Sequence, residues 1–120
     1  MLILIADDQI ENIKLMQLLC ERDGHDTIIA TNAEQAIELA ETRQPDLIVM
    51  DVYMPGKING IDGVSHLRDK SSTRHIPIIV TTAGVETKIQ QAALKAGANV
   101  YIRRPIKAAQ WRQTVQDLSS

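Results

Sequence analysis

"DLIVMDVYMPG", residues 46–56, is the stretch on which the architecture turns. Leu47, Ile48, Val49 and Met50 follow one another with no polar residue between them, so 46–50 reads as a strand buried on both faces. A carboxylate, Asp51, stands at its end, and Met54-Pro55-Gly56 opens a loop rich in turn residues, "MPGKINGIDG". A strand covered on both faces needs helices on both sides of its sheet.

The flanking sequence supplies them. Upstream, Asn32 caps a helix over 33–43, Gln35 is placed to complete a capping box, and Pro45 ends the segment. Before it come a short strand (27–30) and a helix over 10–23. That helix has apolar spacing at Ile10, Ile13, Met16, Leu19 and Cys20, with Gly24 as C-cap. The first strand is Leu2 to Ala6. Downstream, 62–70 reads as a helix, "IPIIVTT" (76–82) as a strand, and 86–96 as a helix ending at Gly97. "NVYI" (99–102) is the last strand and 107–118 the last helix.

Strict alternation of this kind implies an α/β fold, a doubly wound parallel five-stranded sheet built as (βα)5. Right-handed crossovers leave few arrangements, and the common order for a small sheet of this kind is 2-1-3-4-5. Strands 1 and 3 are then neighbours, and ligands bind at the switch point outside their carboxyl ends.

The bulk numbers agree. A chain of 120 residues, 44% apolar and 23% charged, fits one soluble domain spanning 1–120 with a core that needs no disulfide or metal staple. A net charge of −2 gives no reason to expect nucleic acid or an anionic membrane as the main partner. Cys20 is the only cysteine and lies in an apolar helical stretch, so it reads as core and suits a reducing compartment. "MLILIA" is too short for a membrane span and lacks the basic lead-in of a signal peptide; a cytoplasmic location is expected. His25, His66 and His75 lack metal-ligand spacing and read as surface residues.

The carboxyl ends of the strands carry the chemistry. Asp7 and Asp8 follow strand 1, Asp51 strand 3, Thr81 and Thr82 close strand 4, and Arg103 and Arg104 follow strand 5. Each has an ordinary explanation alone. Asp7-Asp8 suits a helix start, Asp51 a turn, a threonine an N-cap, and an arginine solvent. Together they place three carboxylates, a hydroxyl and a guanidinium on one sheet edge. Carboxylates so placed repel unless a cation sits among them, and hard oxygen ligands with open positions suit Mg²⁺. A hydroxyl and a fixed cation beside them suit an incoming phosphoryl group.

Four pieces, "ILIADD", "DLIVMDVYMPG", "IPIIVTTAG" and "KAGANVYIRRP", occur in an order that resembles the receiver domains of two-component response regulators, and the resemblance covers essentially the whole chain. It implies the CheY-like, flavodoxin-like fold. It implies that Asp51 is the phosphoacceptor, a carboxylate nucleophile forming an acyl phosphate. It implies Mg²⁺ as cofactor, held by Asp8 directly, by Asp7 through a water, by Asp51 and by the backbone carbonyl of Tyr53. Thr82 would bind the phosphoryl group and move toward it, Ala83 would leave room for phosphate to enter, and Tyr101 would turn with Thr82. Pro105 would follow a cis peptide bond.

Two features depart from the family pattern. The family has lysine before that proline, where this chain has Arg104. Strand alternation sends Arg103 to the opposite face, leaving Arg104 for the acidic site. Arginine is a planar fork where lysine is a point charge, so two outcomes are open. Arg104 grips the phosphoryl oxygens, or it clamps Asp51 at rest; phosphorylation retained with altered coupling is the expectation, with Lys107 as a partial substitute. The second departure is an insertion in "MPGKINGIDG", where either Asn59-Gly60 or Asp62-Gly63 takes the acid-glycine position.

The implied partners are a histidine kinase or histidine phosphotransfer protein as donor, and a downstream protein on the surface of helix 4, strand 5 and helix 5. Trp111 in the last helix either covers the sheet or anchors such a partner. No DNA-binding segment follows within the 120 residues, so output would come from the receiver's own contacts, or from an effector if the chain is excised. The alternative to a phosphorylation switch is a pseudo-receiver, a protein-binding module supported only by Arg104. A true phosphohydrolase is disfavoured, because Tyr53 stands where such enzymes place a second acid. No Gly-rich phosphate loop points to a nucleotide enzyme, and the chain is not expected to be an enzyme beyond catalysing, at most, its own phosphorylation and dephosphorylation.

Overall fold

Five parallel strands form one sheet in the order β2-β1-β3-β4-β5. They are β1 (Leu2–Ala6), β2 (Asp26–Ala30), β3 (Leu47–Asp51), β4 (Ile78–Thr82) and β5 (Val100–Arg103). The helices between and after them are α1 (Ile10–Arg22), α2 (Ala33–Arg43), α3 (Gly60–Asp69), α4 (Thr87–Ala96) and α5 (Ala108–Ser119). This is a computed structural model, which describes residues 1–84 and 86–119.

Alternate residues of each strand point to opposite faces, and two cores result. Leu4, Ala6, Ile48, Met50, Ile78 and Val80 pack against α2, α3 and α4. Ile3, Ile5, Leu47, Val49, Ile79 and Ile102 pack against α1 and α5. Every residue of β3 and β4 is buried, as expected of central strands. Cys20 lies in the second core, and burial pushes its thiol up to about 12, so it is an inert packing residue.

Several expected boundaries move by a residue or two. Strand 4 begins at Ile78 rather than 76, because Pro77 has no N–H to give the ladder and Ile76 N–H bonds back to Thr73. Helix 3 starts at Gly60 rather than 62, because Asn59 caps it in a reciprocal box with Asp62. The box expected at helix 2 is altered. Asn32 accepts from Gln35 N–H, but the Gln35 side chain reaches one residue further back to Thr31 N–H. Gly24, at φ 80°, closes α1: its N–H bonds to Glu21 and that of His25 to Cys20, the paired bonds of a Schellman ending.

Trp111 is 1% exposed, so it covers the sheet and is no surface anchor. His66 and His75 are exposed as expected, but His25 is half-buried, with Nδ1 facing the amino terminus at 3.2 Å. No helix among the described residues is long and apolar enough to cross a membrane.

Candidate functional site

The site lies where β1 and β3 present their carboxyl ends side by side. Asp51 is the last residue of β3, and its partner across the ladder is Thr81. Counting in twos from Val49, Ile79 and Ile102 puts Asp51, Thr81 and Arg104 on the α1/α5 side of the sheet. Thr82, the next residue, shares its parity with Val80 and belongs to the α4 side, where the half-buried ring of Tyr101 packs.

Arg104 enters the site as the alternation predicts, and Arg103 is exposed. The Arg104 backbone is held by its N–H on the Thr82 carbonyl at 2.9 Å, and the Arg104–Pro105 peptide is cis. Its Nη1 donates to Asp51 Oδ1 and to Thr81 Oγ1, both at 3.1 Å, and stands 3.8 Å from Asp7 Oδ2. Arg104 meets Asp51 through one nitrogen rather than as a two-pronged fork, and the same nitrogen serves Thr81. Lys107 is exposed and enters none of the ion pairs among the described residues.

Asp7 and Asp51 are buried and Asp8 is exposed, yet one carboxylate oxygen from each lies within 4.8 Å of the others. Asp7 Oδ1 also accepts from Gln9 N–H, so the cap-like contact at the start of α1 and membership of the acidic group coexist. Three carboxylates face one guanidinium. Burial pushes the Asp51 carboxyl up from 3.8 to about 6; Arg104 pulls it down, and Asp7 and Asp8 push it up again. An electron-rich group of hard oxygens short of positive charge fits a small divalent cation such as Mg²⁺.

Gly60 answers the question left by the loop. A Cβ there would lie 2.0 Å from the Asp51 carbonyl oxygen, whereas one at Gly63 would meet only the Met50 and Ala33 side chains. Gly60 N–H also bonds to the Val52 carbonyl at 2.8 Å. Asn59-Gly60 is therefore the pair packed against the site. The loop is tethered from α2 by Glu34, whose carboxylate accepts from Ile58 N–H.

The remaining expected residues surround this centre. Thr82 is fully buried, and its hydroxyl accepts from Gly84 N–H at 3.2 Å rather than facing Arg104. Ala83 and the Tyr53 ring are exposed. The Tyr101 hydroxyl is buried without a partner among the described residues, and burial raises its phenol. Thr81 is the residue that sequence reasoning passed over. Its place at the strand end is plain from the sequence, and the parity count from Ile79 is the signal that puts its hydroxyl on the Arg104 side.

The family model for the response regulator receiver domain matches residues 3–116, and the chain belongs to that family. Among curated proteins it is 32% identical over 114 residues to the polar-differentiation response regulator DivK of Brucella anthropi, covering 95% of this chain and 92% of that one. It is 33% identical over 121 residues to the sensory/regulatory protein RpfC of Xanthomonas campestris pv. campestris, covering 99% of this chain but only 16% of that protein. Among solved structures, the receiver domain of the sensor histidine kinase PA1611 from Pseudomonas aeruginosa PAO1 superposes with a TM-score of 0.90 at 27% identity. That match covers 99% of this chain and 98% of the other, which carries a magnesium ion in its active-site cleft.

Proposed function

We propose that the chain acts as one phosphoacceptor receiver domain, in the cytoplasm, taking a phosphoryl group onto Asp51 from a phosphohistidine of a kinase or phosphotransfer protein. The observation that carries this reading is Asp51, buried at the switch point between Asp7, Asp8 and Arg104. A carboxyl raised to about 6 is still mostly ionised near neutral pH and is a better nucleophile than an ordinary one. Arg104 engages Oδ1, which leaves Oδ2 to attack phosphorus. The new bond is P–Oδ2; the P–N bond to the donor imidazole breaks, and its electron pair leaves with that nitrogen.

Asp8, Asp7, Asp51 and the Tyr53 carbonyl would hold Mg²⁺, which when bound neutralises charge building on the phosphoryl oxygens. The Thr82 hydroxyl, released from Gly84, would bind the phosphoryl group, and Tyr101 would follow it. The output would be a shift of the α4-β5-α5 surface toward a second state recognised by a downstream protein. No turnover of a substrate is needed for this role.

The Arg104–Asp51 contact favours a second reading, a pseudo-receiver whose binding is indifferent to phosphate. Intact-protein mass spectrometry after incubation with acetyl phosphate and Mg²⁺, with Asp51→Asn as control, separates the two. One added phosphoryl group on the wild type alone is expected. No added phosphoryl group on either protein, repeated with a phosphohistidine donor, would favour the pseudo-receiver.

A further inference from the structure

The structure assigns Thr81 as the residue that positions Arg104, an inference that rests on reading Asp51 as the acceptor. Three observations carry it. Thr81 Oγ1 and Asp51 Oδ1 are the two acceptors of one nitrogen, Arg104 Nη1, at the same 3.1 Å. Asp51 and Thr81 are paired across β3 and β4, so the ladder sets the spacing of these acceptors. And Arg104 lines a cavity of about 280 Å³ on the α1 side, bounded by Asn12, Leu15, Met16 and Ile106.

The cavity matters because it leaves the largely buried Arg104 side chain room on that side. A long arginine beside empty space has several rotamers open to it. Asp51 attracts it, but so does Asp7, whose Oδ2 is 3.8 Å away. Charge alone therefore leaves Nη1 free to slide between two carboxylates. The Thr81 hydroxyl lies on the Asp51 side and breaks the tie. Lysine before the proline would reach the acid as a point charge; arginine is longer and needs a second point of contact to hold one nitrogen in place.

Two consequences of opposite sign follow when the hydroxyl is removed. Arg104 drifts toward the cavity, so positive charge leaves the acidic group and Mg²⁺ binds more tightly. Arg104 is also no longer placed to meet the phosphoryl oxygens, so transfer slows. A general loss of structure would weaken both.

The test uses Thr81→Val, which keeps the shape, and Thr81→Ser, which keeps the hydroxyl. In metal-free protein at low temperature, nitrogen-resolved NMR of the Arg104 side chain reads whether rotation about Nε–Cζ is hindered. Separate Nη1 and Nη2 signals are expected for wild type and Thr81→Ser, and averaged signals for Thr81→Val. Averaged signals in the wild type overturn the inference without any variant. With acetyl phosphate, Thr81→Val is expected to be phosphorylated roughly tenfold more slowly, the weight of one hydrogen bond to a charged group. Its Mg²⁺ affinity should rise, and both effects should vanish in an Arg104→Ala background. A Thr81→Val effect that persists without Arg104 overturns the inference. If the wild type accepts no phosphoryl group, the acceptor reading fails, and the NMR comparison still decides what Thr81 does.

Discussion

Replacing Asp51 with asparagine in metal-free protein keeps the side-chain shape and removes a charge that the fold resists. The Asp51 carboxyl is raised from 3.8 to about 6, chiefly because it is 3% exposed and secondarily by Asp7 and Asp8. A raised folded value means that the native state holds the proton more tightly than the unfolded chain does. The resulting stabilisation is complete below the unfolded value and disappears as pH rises through about 6. A shift of this size is worth about 3 kcal/mol in all, of which about 2 kcal/mol falls between about pH 4.5 and about pH 7.5. Asparagine resembles the protonated acid at every pH. Urea unfolding of both proteins in EDTA at those two pH values should therefore show the variant gaining about 2 kcal/mol on the wild type as pH rises. The double difference cancels groups that titrate alike in both proteins. A gap between the two that does not change with pH would refute the account of Asp51 as a carboxyl pushed up by burial.

Other perturbations probe different parts of the site. Saturating Mg²⁺ at about a hundredfold over its dissociation constant should stabilise the wild type by about 2.7 kcal/mol in thermal unfolding, and Asp8→Ala should remove that gain. Gly60→Ala should cost about 3 kcal/mol, because a methyl group would lie 2.0 Å from the Asp51 carbonyl; an unchanged urea midpoint would contradict the close approach. Arg104→Ala strands the buried Asp7 and Asp51 without their cation and should cost about 3 kcal/mol near neutral pH, with recovery in acid. Asn59→Ala breaks the capping box of α3 and should cost about 1 kcal/mol by chemical denaturation.

The sheet was legible because its central strands are buried on both faces and therefore read as unbroken apolar runs, as at Leu47 to Met50. The acidic group was legible because all three of its members follow strands 1 and 3 at once. What escaped was decided by contacts between distant segments. That Gly60 rather than Gly63 meets the site depends on how an inserted loop returns to β3, and no local spacing records that. Gln35 fits a capping box by sequence, but its side chain reaches Thr31. Thr81 was passed over because the family resemblance directs attention to Thr82. Yet a change of one residue on a pleated strand changes the face, and Arg104 lies on the Thr81 side. The sequence does not decide the place of Trp111, because a tryptophan on an amphipathic helix suits core and interface equally until the neighbouring helix is known.

The helices do not grip the sheet equally. α3 buries Val64 and Leu67 along with two glycines that let it sit close, whereas α4 fully buries only Ala93. Ile89 and Ala96 are only half-buried and alanine contributes little apolar area, so α4 is held by less than α3. The free energy of opening is then lowest along this one edge, and its amides should be the first of the five helices to exchange with solvent. A change of about 1 kcal/mol at the carboxyl edge, the scale of a single hydrogen bond, is large against such a hold and small against that of α3. The fold thus contains a graded fastening, firm where the loop after Asp51 is anchored and loose where Thr82 and Tyr101 lie beneath.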